Sequence, residues 1–407
     1  MAQELQKYGF TLVDPSEEAD VYVINSCTVT AESDRKTRQA VRKFKRNHPQ
    51  SIVVLTGCMP QASPETADFL PEADIVIGNK NNAGLFSYIM SYIDSRERTV
   101  DISPHELNEA FSGGTVSDYA ERTRAFVKIE DGCNRFCSYC IIPYARGRVR
   151  SKPLDEIKAE VDNLQKNGYK EIVLVGINLS AYGTDIDSNL VEAVKTAASF
   201  DGVKRVRLGS LEPDHITADI INELKTIPEF CPQFHISLQS GCDKTLKRMN
   251  RHYNTVEYED LCHNIRAAFP DAAITTDVMV GFPGESSSDF EVSLDFVKRI
   301  GFAKVHVFPY SRRPGTHAAK MEDQVQNIEK QRRAEIMADE TEVIRKEYLK
   351  SQIGKSFDII AEEIFDDGVK GYTKQYIPVI LKGRKAENGE LINVKITSVQ
   401  SDCCIAE

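Results

Sequence analysis

Cysteine is scarce in this sequence, and long apolar runs are missing. Ten cysteines among 407 residues are too few for a disulfide-stapled scaffold, so thiolates that bind metal or take part in catalysis are expected. No stretch approaches the roughly 18 apolar residues of a membrane span. The first ten residues lack the apolar core of a secretory signal peptide. These absences predict a cytoplasmic protein with no membrane partner.

The charge balance and the length narrow the possibilities further. A net charge of −10, with 41% hydrophobic and 28% charged residues, is typical of a globular chain. It argues against a protein covered in positive charge to hold nucleic acid, although a local basic face can still bind RNA. At roughly 100–200 residues per domain, the length predicts two to four domains.

Three cysteines stand on one short loop with the spacing C-x3-C-x2-C. They are Cys133, Cys137 and Cys140. Thiolates at this spacing can ligate three irons of a cubane cluster and leave the fourth iron open for chemistry. A structural zinc site would need a fourth ligand nearby, and the next candidates, Cys231 and His235, lie far along the chain. The loop therefore predicts an iron–sulfur site with an open iron.

The residues before this loop predict a small parallel sheet. Buried-strand patterns lie at 20–25, 51–56 and 73–78, and helical patterns at 32–47 and 83–94. Cys27 and Cys58 directly follow the first two strands, at the edge where open parallel sheets gather their ligands. Two buried core cysteines are the alternative interpretation, and two thiolates alone are too few for a cluster.

Strand and helix patterns alternate from residue 123 onward. Six strands are expected at 125–129, 171–176, 203–208, 234–238, 273–280 and 303–308. This alternation predicts a partial (β/α) barrel whose site lies at the carboxyl ends of the strands. Asn178, Glu212, Gln239 and Tyr310 follow strands at matching positions. Ordinary turns explain the glycines and prolines there better than they explain Glu212, Gln239 and Tyr310.

The carboxyl-terminal part changes character after a long charged helix expected at 324–351. Short strands then alternate with Asp-Asp-Gly and Glu-Asn-Gly turns, which predicts a small β-barrel or sandwich. Such barrels often bind nucleic acid, although fold alone is weak support for that function. The predicted domain limits are 1–97, a linker at 98–122, 123–347 and 348–407.

These motifs together resemble the radical-SAM methylthiotransferase family over nearly the whole chain. The most specific stretches are 21–30, 57–61, 132–147 and 280–285. The segments Cys-Ile-Ile-Pro-Tyr-Ala-Arg-Gly, His-Ile-Ser-Leu-Gln-Ser-Gly and Phe-Pro-Tyr-Ser-Arg-Arg-Pro-Gly-Thr are most similar to the branch that acts on N6-threonylcarbamoyladenosine in tRNA. The resemblance implies an α/β chain with a parallel-sheet amino-terminal domain, a partial (β/α)6 radical-SAM barrel and a small all-β domain of the TRAM type, associated with RNA binding.

The resemblance also implies a reaction and its cofactors. The enzyme would add a methylthio group to C2 of the adenine at position 37 of tRNA. Cys133, Cys137 and Cys140 match the ligands of a 4Fe-4S cluster whose open iron chelates S-adenosyl-L-methionine, from which a 5′-deoxyadenosyl radical is generated. Besides tRNA, an electron-donor protein and a sulfur donor would be its partners.

Other cofactor contacts are implied by position in the family motifs. Tyr139 would lie against the adenine of S-adenosyl-L-methionine, and Gln239 would make a polar contact to it. Gly281 and Gly284 suit close approach of the backbone to the cofactor.

Cys27 and Cys58 match two of the three ligands of the family's second, auxiliary 4Fe-4S cluster. Family members carry the remaining ligand before the helix with which this chain opens, and no cysteine precedes Cys27. A truncated amino terminus, with the first strand missing, is the expectation. An auxiliary cluster that does not form normally is the alternative.

Other functions stay open on the sequence alone. One is a methylthiotransferase that acts on isopentenyladenosine in tRNA or on a ribosomal-protein side chain, and another is a non-catalytic RNA-binding relative without the auxiliary cluster. Two basic runs are candidates for phosphate contacts, with a solvated helix face as the alternative for the first. They are Arg35, Lys36, Arg38, Arg42, Lys43, Lys45 and Arg46, and then Arg146, Arg148, Arg150 and Lys152.

Overall fold

The computed structural model describes residues 1–116 and 123–407. It divides into two compact units. The first unit comprises Met1–Glu109, Gly132–Arg148 and Ser311–Lys320, and the second comprises Ala110–Asp131, Val149–Tyr310 and Met321–Glu407. The last six residues of the predicted linker, 117–122, lie outside the described residues.

A four-stranded parallel sheet is the centre of the first unit. Its order is β1-β2-β3-β4, with β1 Val21–Ser26, β2 Ile52–Gly57, β3 Ile75–Ile77 and β4 Thr99–Asp101. The helices of this unit are α1 Ala2–Lys7, α2 Ala31–Asn47, α3 Cys58–Ala62, α4 Thr66–Phe69, α5 Leu85–Ser95 and, in the cysteine loop, α6 Ile142–Arg146.

Side chains alternate along β2 and cover both faces of this sheet. Val53 and Leu55 pack with Val41 of α2, whereas Ile52 and Val54 join the cluster that contains Ile89 of α5. Burial on both faces explains the nearly continuous apolar runs from which the strands were predicted. Strand β4 falls inside the range predicted as linker, because Thr-Val-Asp is too short and polar to show a strand period.

Nine strands build the barrel part of the second unit, as far as the structure describes it. They are β5 Arg124–Lys128, β6 Glu130–Asp131, β7 Arg150–Ser151, β8 Glu171–Val175, β9 Arg205–Leu208, β10 Ser210–Leu211, β11 Gln233–Ile236, β12 Ala273–Val280 and β13 Lys304–Pro309. The parallel orders are β5-β8-β9 and β10-β11-β12-β13, and β6 pairs with β7. The six predicted strands are confirmed, and the short strand β10, which was not predicted, follows the third of them after Gly209.

Helices follow these strands and bury one large apolar cluster between themselves and the sheet. They are α7 Leu154–Lys166, α8 Leu190–Ala198, α9 Ala218–Lys225, α10 Asp243–Arg248, α11 Thr255–Ala268, α12 Ser287–Ile300 and α13 Asn327–Lys350. Val127, Leu174, Val206, Phe234 and Val278 carry the strand side of this core. Among the described residues, no helix combines the length and the apolar character that a membrane crossing needs.

A closed five-stranded barrel ends the chain, as the turn pattern predicted. Its order is β14-β15-β16-β18-β17, with β14 Ser356–Phe365, β15 Gly368–Thr373, β16 Pro378–Lys382, β17 Leu391–Gln400 and β18 Cys403–Ala406. Ile359, Val379 and Val394 are in its core together with Cys404. Closure satisfies the strand edges that an open sheet of this size would expose.

Candidate active site

The loop with the three cysteines is closed on itself by backbone contacts. The Cys133 N–H donates to the Gly147 carbonyl oxygen at 3.0 Å, and the Cys140 N–H donates to the Cys137 carbonyl oxygen at 2.9 Å. Gly132 adopts φ +96°, and a Cβ there would overlap the carbonyl oxygen of Arg148. Only glycine therefore permits this entry into the loop.

The donor set of this loop fits an iron–sulfur cluster. Cys133, Cys137 and Cys140 are half-buried, and the Arg135 N–H lies 3.4 Å from the Cys133 sulfur, as a donor toward a cluster thiolate would. Within the part of the chain that the structure describes, no three His, Cys, Asp or Glu side chains converge on one metal-ion position. A cubane instead places each thiolate on a different iron. Tyr139 lies half-buried within this loop.

Cys27 and Cys58 lie at the ends of neighbouring strands. β1 and β2 pair in parallel up to Ser26 and Gly57, so the two cysteines come next in register at the carboxyl edge of the sheet. Cys27 is exposed, whereas Cys58 is 5% exposed. Burial raises the pKa of the Cys58 thiol, and the neighbouring Cys27 raises it further.

A guanidinium opposes this effect at the Cys58 sulfur. Arg146 Nε lies 3.1 Å from that sulfur, and its charge lowers the pKa that burial raises. Asn79 Nδ2 lies 4.0 Å from the same sulfur and also donates to the Ala145 carbonyl oxygen. Two donors from different segments of the first unit therefore face this buried thiol.

The Asn79 amide is oriented by a line of polar side chains. Its Oδ1 lies 3.0 Å from His105 Nε2, and His105 Nδ1 lies 2.8 Å from Glu109 Oε2. Although burial opposes it, hydrogen bonding from His105 and Lys80 lowers the pKa of Glu109 to about 2. Sequence analysis missed these residues. Only Asn79 had a positional signal, since it follows the third strand, just as Cys27 and Cys58 follow the first two.

In the second unit, several buried side-chain oxygens lack a hydrogen-bond partner among the described residues, and three of them come shortly after parallel barrel strands. They are Glu130 Oε1, Asn178 Oδ1 and Gln239 Oε1. The three residues follow β5, β8 and β11, at the carboxyl ends of the barrel strands. Because buried polar atoms are almost always paired, these three oxygens at the carboxyl ends of barrel strands make this end of the barrel the candidate ligand site.

Glu130 is the residue of this group that sequence analysis missed. Its side chain is fully buried, and its Oε2 accepts the Asn178 N–H at 2.7 Å. Burial, reinforced by the charge of Asp131, raises the pKa of Glu130 to about 8. Burial therefore favours the protonated form of this carboxyl group. Its position directly after a predicted strand could have identified it as a site residue. A charged residue at that position is, however, equally typical of the ordinary end of a strand.

Gln239 and the two predicted glycines have unusual backbones. Gln239 adopts φ +64°, a conformation that costs energy for a residue with a side chain. Gly281 and Gly284 also have positive φ. A Cβ on Gly281 would collide with Lys330, and a Cβ on Gly284 with the Arg248–Asp323 ion pair. Local packing thus accounts for both glycines.

The remaining polar residues at strand ends have internal roles. Glu212 forms an ion pair with Arg251. Tyr310 is buried and packs edge to face against Phe282.

The hypothesis that the second basic run contacts phosphate is wrong for Arg150 and Lys152, which are buried. Lys152 is fully buried in an ion pair with Glu160, Arg150 is buried, and Arg146 faces Cys58. Only Arg148 of that run is exposed, with its guanidinium 4.7 Å from the ring centre of Phe136. Arg150, Ser151 and Lys152 are all buried in and directly after β7, which composition alone cannot show.

Family models match two parts of this chain. Residues 127–297 match the Radical SAM superfamily, and residues 1–78 match the Uncharacterized protein family UPF0004. The radical S-adenosylmethionine methyltransferase TsrM of Kitasatospora setae shares the fold, with a TM-score of 0.55 at 14% identity over 74% of this chain and 66% of that chain.

Curated relatives match almost the whole chain. The Threonylcarbamoyladenosine tRNA methylthiotransferase MtaB of Bacillus subtilis is 37% identical over 97% of this chain and 89% of its own length. The MtaB of Thermotoga maritima is 36% identical over 100% and 92%. A tRNA-2-methylthio-N(6)-dimethylallyladenosine synthase of Clostridium botulinum is 34% identical over 98% and 90%. At this identity and coverage, the chain belongs to the radical-SAM methylthiotransferase family and is an enzyme of that class.

Proposed function

We propose that this enzyme adds a methylthio group to C2 of N6-threonylcarbamoyladenosine at position 37 of tRNA. The observation that carries the proposal is the likeness to relatives named for that nucleoside, at 34–37% identity over 95–100% of this chain. The relative named for dimethylallyladenosine, at 34% identity, supports the corresponding prenylated adenosine as the second candidate.

Cys133, Cys137 and Cys140 would hold the radical-SAM 4Fe-4S cluster. When bound together with S-adenosyl-L-methionine, this cluster supplies the electron that cleaves the cofactor and yields a carbon radical. The loop's own contribution is positioning. The Gly147 carbonyl oxygen anchors Cys133 at 3.0 Å, and the Arg135 N–H supports its sulfur. Tyr139 lies between the last two ligands, where it would pack against the adenine.

Glu130, Asn178 and Gln239 would bind S-adenosyl-L-methionine. Asn178 Oδ1 and Gln239 Oε1 are acceptors, the Glu130 carboxyl accepts through Oε1 once it is ionised, and S-adenosyl-L-methionine offers an ammonium group, ribose hydroxyls and an adenine amine as donors. Glu130 can also give up its proton beside a cation, because an opposite charge lowers the pKa that burial has raised. The backbone at Gly281 and Gly284 would complete the cofactor contacts.

Cys27 and Cys58 would serve the second, auxiliary 4Fe-4S cluster. They supply two thiolates at one sheet edge, and Arg146 and Asn79 offer donors to the Cys58 sulfur. An electron-donor protein and a sulfur donor would be partners of the reaction, in the cytoplasm. The closed barrel β14–β18 would be the TRAM-like RNA-binding domain, and its closed five-stranded architecture supports this assignment.

The modified nucleosides of tRNA test the proposal. In cells that lack the gene, mass spectrometry should show loss of 2-methylthio-N6-threonylcarbamoyladenosine. The wild-type gene should restore it, and a Cys133→Ala/Cys137→Ala/Cys140→Ala variant should not. Selective loss of the 2-methylthio prenylated adenosine would favour the second candidate. Undiminished amounts of both nucleosides would contradict a tRNA substrate.

A further inference from the structure

Helix α2 is strongly basic in an acidic chain. Its 17 residues include the carboxylates Glu32 and Asp34 and a larger set of cations, while the chain as a whole has a formal net charge of −10. The cations are Arg35, Lys36, Arg38, Arg42, Lys43, Lys45 and Arg46. The helix dipole favours the cations of the last turn, Lys45 and Arg46, but it does not account for the others.

Three of these cations are engaged by carboxylates of the first unit. Arg35 pairs with Glu32 at 2.5 Å, and Arg42 pairs with Glu72 at 3.3 Å. Lys45 is half-buried and pairs with Asp74 at 2.8 Å. These pairs explain part of the basic run as local structure, which is the ordinary role of charges on a helix surface.

Lys36, Lys43 and Arg46 form a row on the exposed side of α2. All three are exposed, and the described part of the chain gives none of them an ion pair shorter than 4.0 Å. The charge of Lys36 attracts Glu32 without an ion-pair contact, and Lys43 Nζ is 6.0 Å from the ring centre of Phe44. Residues seven and three positions apart share one side of a helix, so the three charges face solvent together.

The start of α2 is fixed at the sheet edge that carries Cys27. Arg313 donates to Asp34 Oδ2 and to Thr28 Oγ1, each at 2.6 Å, and the Ala31 N–H donates to Ser311 Oγ at 3.1 Å. At about 1.5 Å per residue, the row from Lys36 to Arg46 spans roughly 15 Å and leads away from that edge. A rigid, anchored row of this length suits several phosphates of one nucleic-acid strand.

We propose that Lys36, Lys43 and Arg46 bind the phosphate backbone of the substrate RNA next to the base that is modified. The inference rests on the proposed function, since it takes tRNA as the substrate. It adds a defined docking row on the amino-terminal unit, separate from the TRAM-like barrel. Because phosphate contacts release counterions, each cation of the row contributes to the salt dependence of binding.

The test compares two triple variants of the cluster-loaded enzyme. The row variant is Lys36→Gln/Lys43→Gln/Arg46→Gln. The control variant is Lys158→Gln/Lys225→Gln/Lys298→Gln, which removes the same charge from exposed positions on α7, α9 and α12. The probe is the anticodon stem–loop of a substrate tRNA, with affinity measured between about 50 and 200 mM salt. Circular dichroism and the cluster absorbance check that both variants are folded.

We expect the slope of log affinity against log salt to fall by about one per lost contact, so by about three in the row variant. The control variant should keep the wild-type slope. Equal slopes in the row variant and the wild type, or equal losses in both triple variants, would overturn the inference while leaving a tRNA substrate intact. A wild-type enzyme that does not bind the stem–loop would contradict the proposed function itself, and the inference with it.

Discussion

Arg146 Nε lies 3.1 Å from the Cys58 sulfur, and this contact joins the cysteine loop to the edge of the amino-terminal sheet. Cys58 is buried, so its thiolate needs a nearby positive charge to be a good ligand at neutral pH. We therefore expect Arg146→Met to lower the iron bound after anaerobic reconstitution to the amount bound by Cys58→Ala. Arg146→Lys should retain part of it, because the charge is kept but the planar donor geometry is lost.

Iron analysis and electron paramagnetic resonance of the reduced protein check this prediction. Arg148→Met is the matched control, since Arg148 is the exposed neighbour stacked on Phe136. The role assigned to Arg146 is wrong if Arg146→Met retains the same iron content and spectrum as the control.

Because the pKa of Glu130 is raised in the folded protein, we expect the stability of the fold to depend on pH. Its folded pKa is about 8 because of burial, against an ordinary value of 4.5. The folded protein therefore holds a proton that the unfolded chain releases between these two values, and stability from this group is present below about 4.5 and lost as pH rises through about 8. Glu130→Gln keeps the acceptor for the Asn178 N–H and does not titrate. We expect the stability of the variant relative to the wild type to rise from pH 5 to about pH 8 and to level off above that.

Urea midpoints in the absence of S-adenosyl-L-methionine measure this difference. Glu156→Gln, at an exposed position of α7, controls for the removal of one carboxylate. A difference between Glu130→Gln and wild type that is constant over this pH range would show that Glu130 does not titrate there.

Replacement of Gln239 by glycine should have opposite effects on the stability of the protein and on cofactor binding. Its φ of +64° costs a residue with a side chain about 1–2 kcal/mol, which glycine does not pay. Gln239→Gly should therefore raise the denaturation midpoint. The same change removes the unpaired amide oxygen at the barrel end, and the loss of one hydrogen bond should weaken S-adenosyl-L-methionine binding about tenfold.

Asn250→Gly provides the comparison for Gln239→Gly. Asn250 also has positive φ, at +58°, but lies after α10. The Asn250→Gly variant should be more stable than the wild type. Its affinity for S-adenosyl-L-methionine, measured by equilibrium dialysis, should be unchanged. Unchanged affinity in Gln239→Gly would remove Gln239 from the cofactor site.

The sequence predicted what depends on local pattern. Apolar runs on both sides of the cysteine loop predict buried strands. Asn178 and Gln239 were identified as candidate site residues because each follows such a run. The contact between Arg146 and Cys58 joins residues 88 positions apart, and no local pattern encodes it. Glu130 is fully buried and contacts the later segment at Gly176 and Asn178, a contact that no local pattern encodes either.

The two basic runs illustrate the same limit. Both have a similar composition, yet Lys152 of the second is paired in the core, whereas Lys36 and Lys43 of the first face solvent. Composition shows how many charges a segment carries, but the carboxylates that pair with them come from distant segments. Arg42 pairs with Glu72, and Lys45 pairs with Asp74. The domain limits at 97, 122 and 347 likewise stay predictions.

The contacts of Arg205 help to attach the carboxyl-terminal barrel to the rest of the second unit. Its side chain is fully buried, and it donates to the carbonyl oxygens of Asp358 at 2.6 Å and Tyr372 at 2.7 Å. It also forms an ion pair with the buried Glu171 at 3.4 Å. Arg205→Met would leave two buried carbonyl groups without this donor. It would also remove one of the positive charges that balance the buried Glu171 carboxylate. Removal of one partner from such a buried network costs about 3–5 kcal/mol.

Denaturant unfolding and limited proteolysis test this attachment. We expect Arg205→Met to lower the unfolding midpoint and to speed cleavage near Ser351, where α13 passes into β14. Arg384→Met removes an exposed ion pair with Glu390 and should cost less than about 1 kcal/mol. If Arg205→Met is no more sensitive than Arg384→Met, the guanidinium does not hold the barrel. The apolar contacts around Leu349 would then be sufficient to attach it.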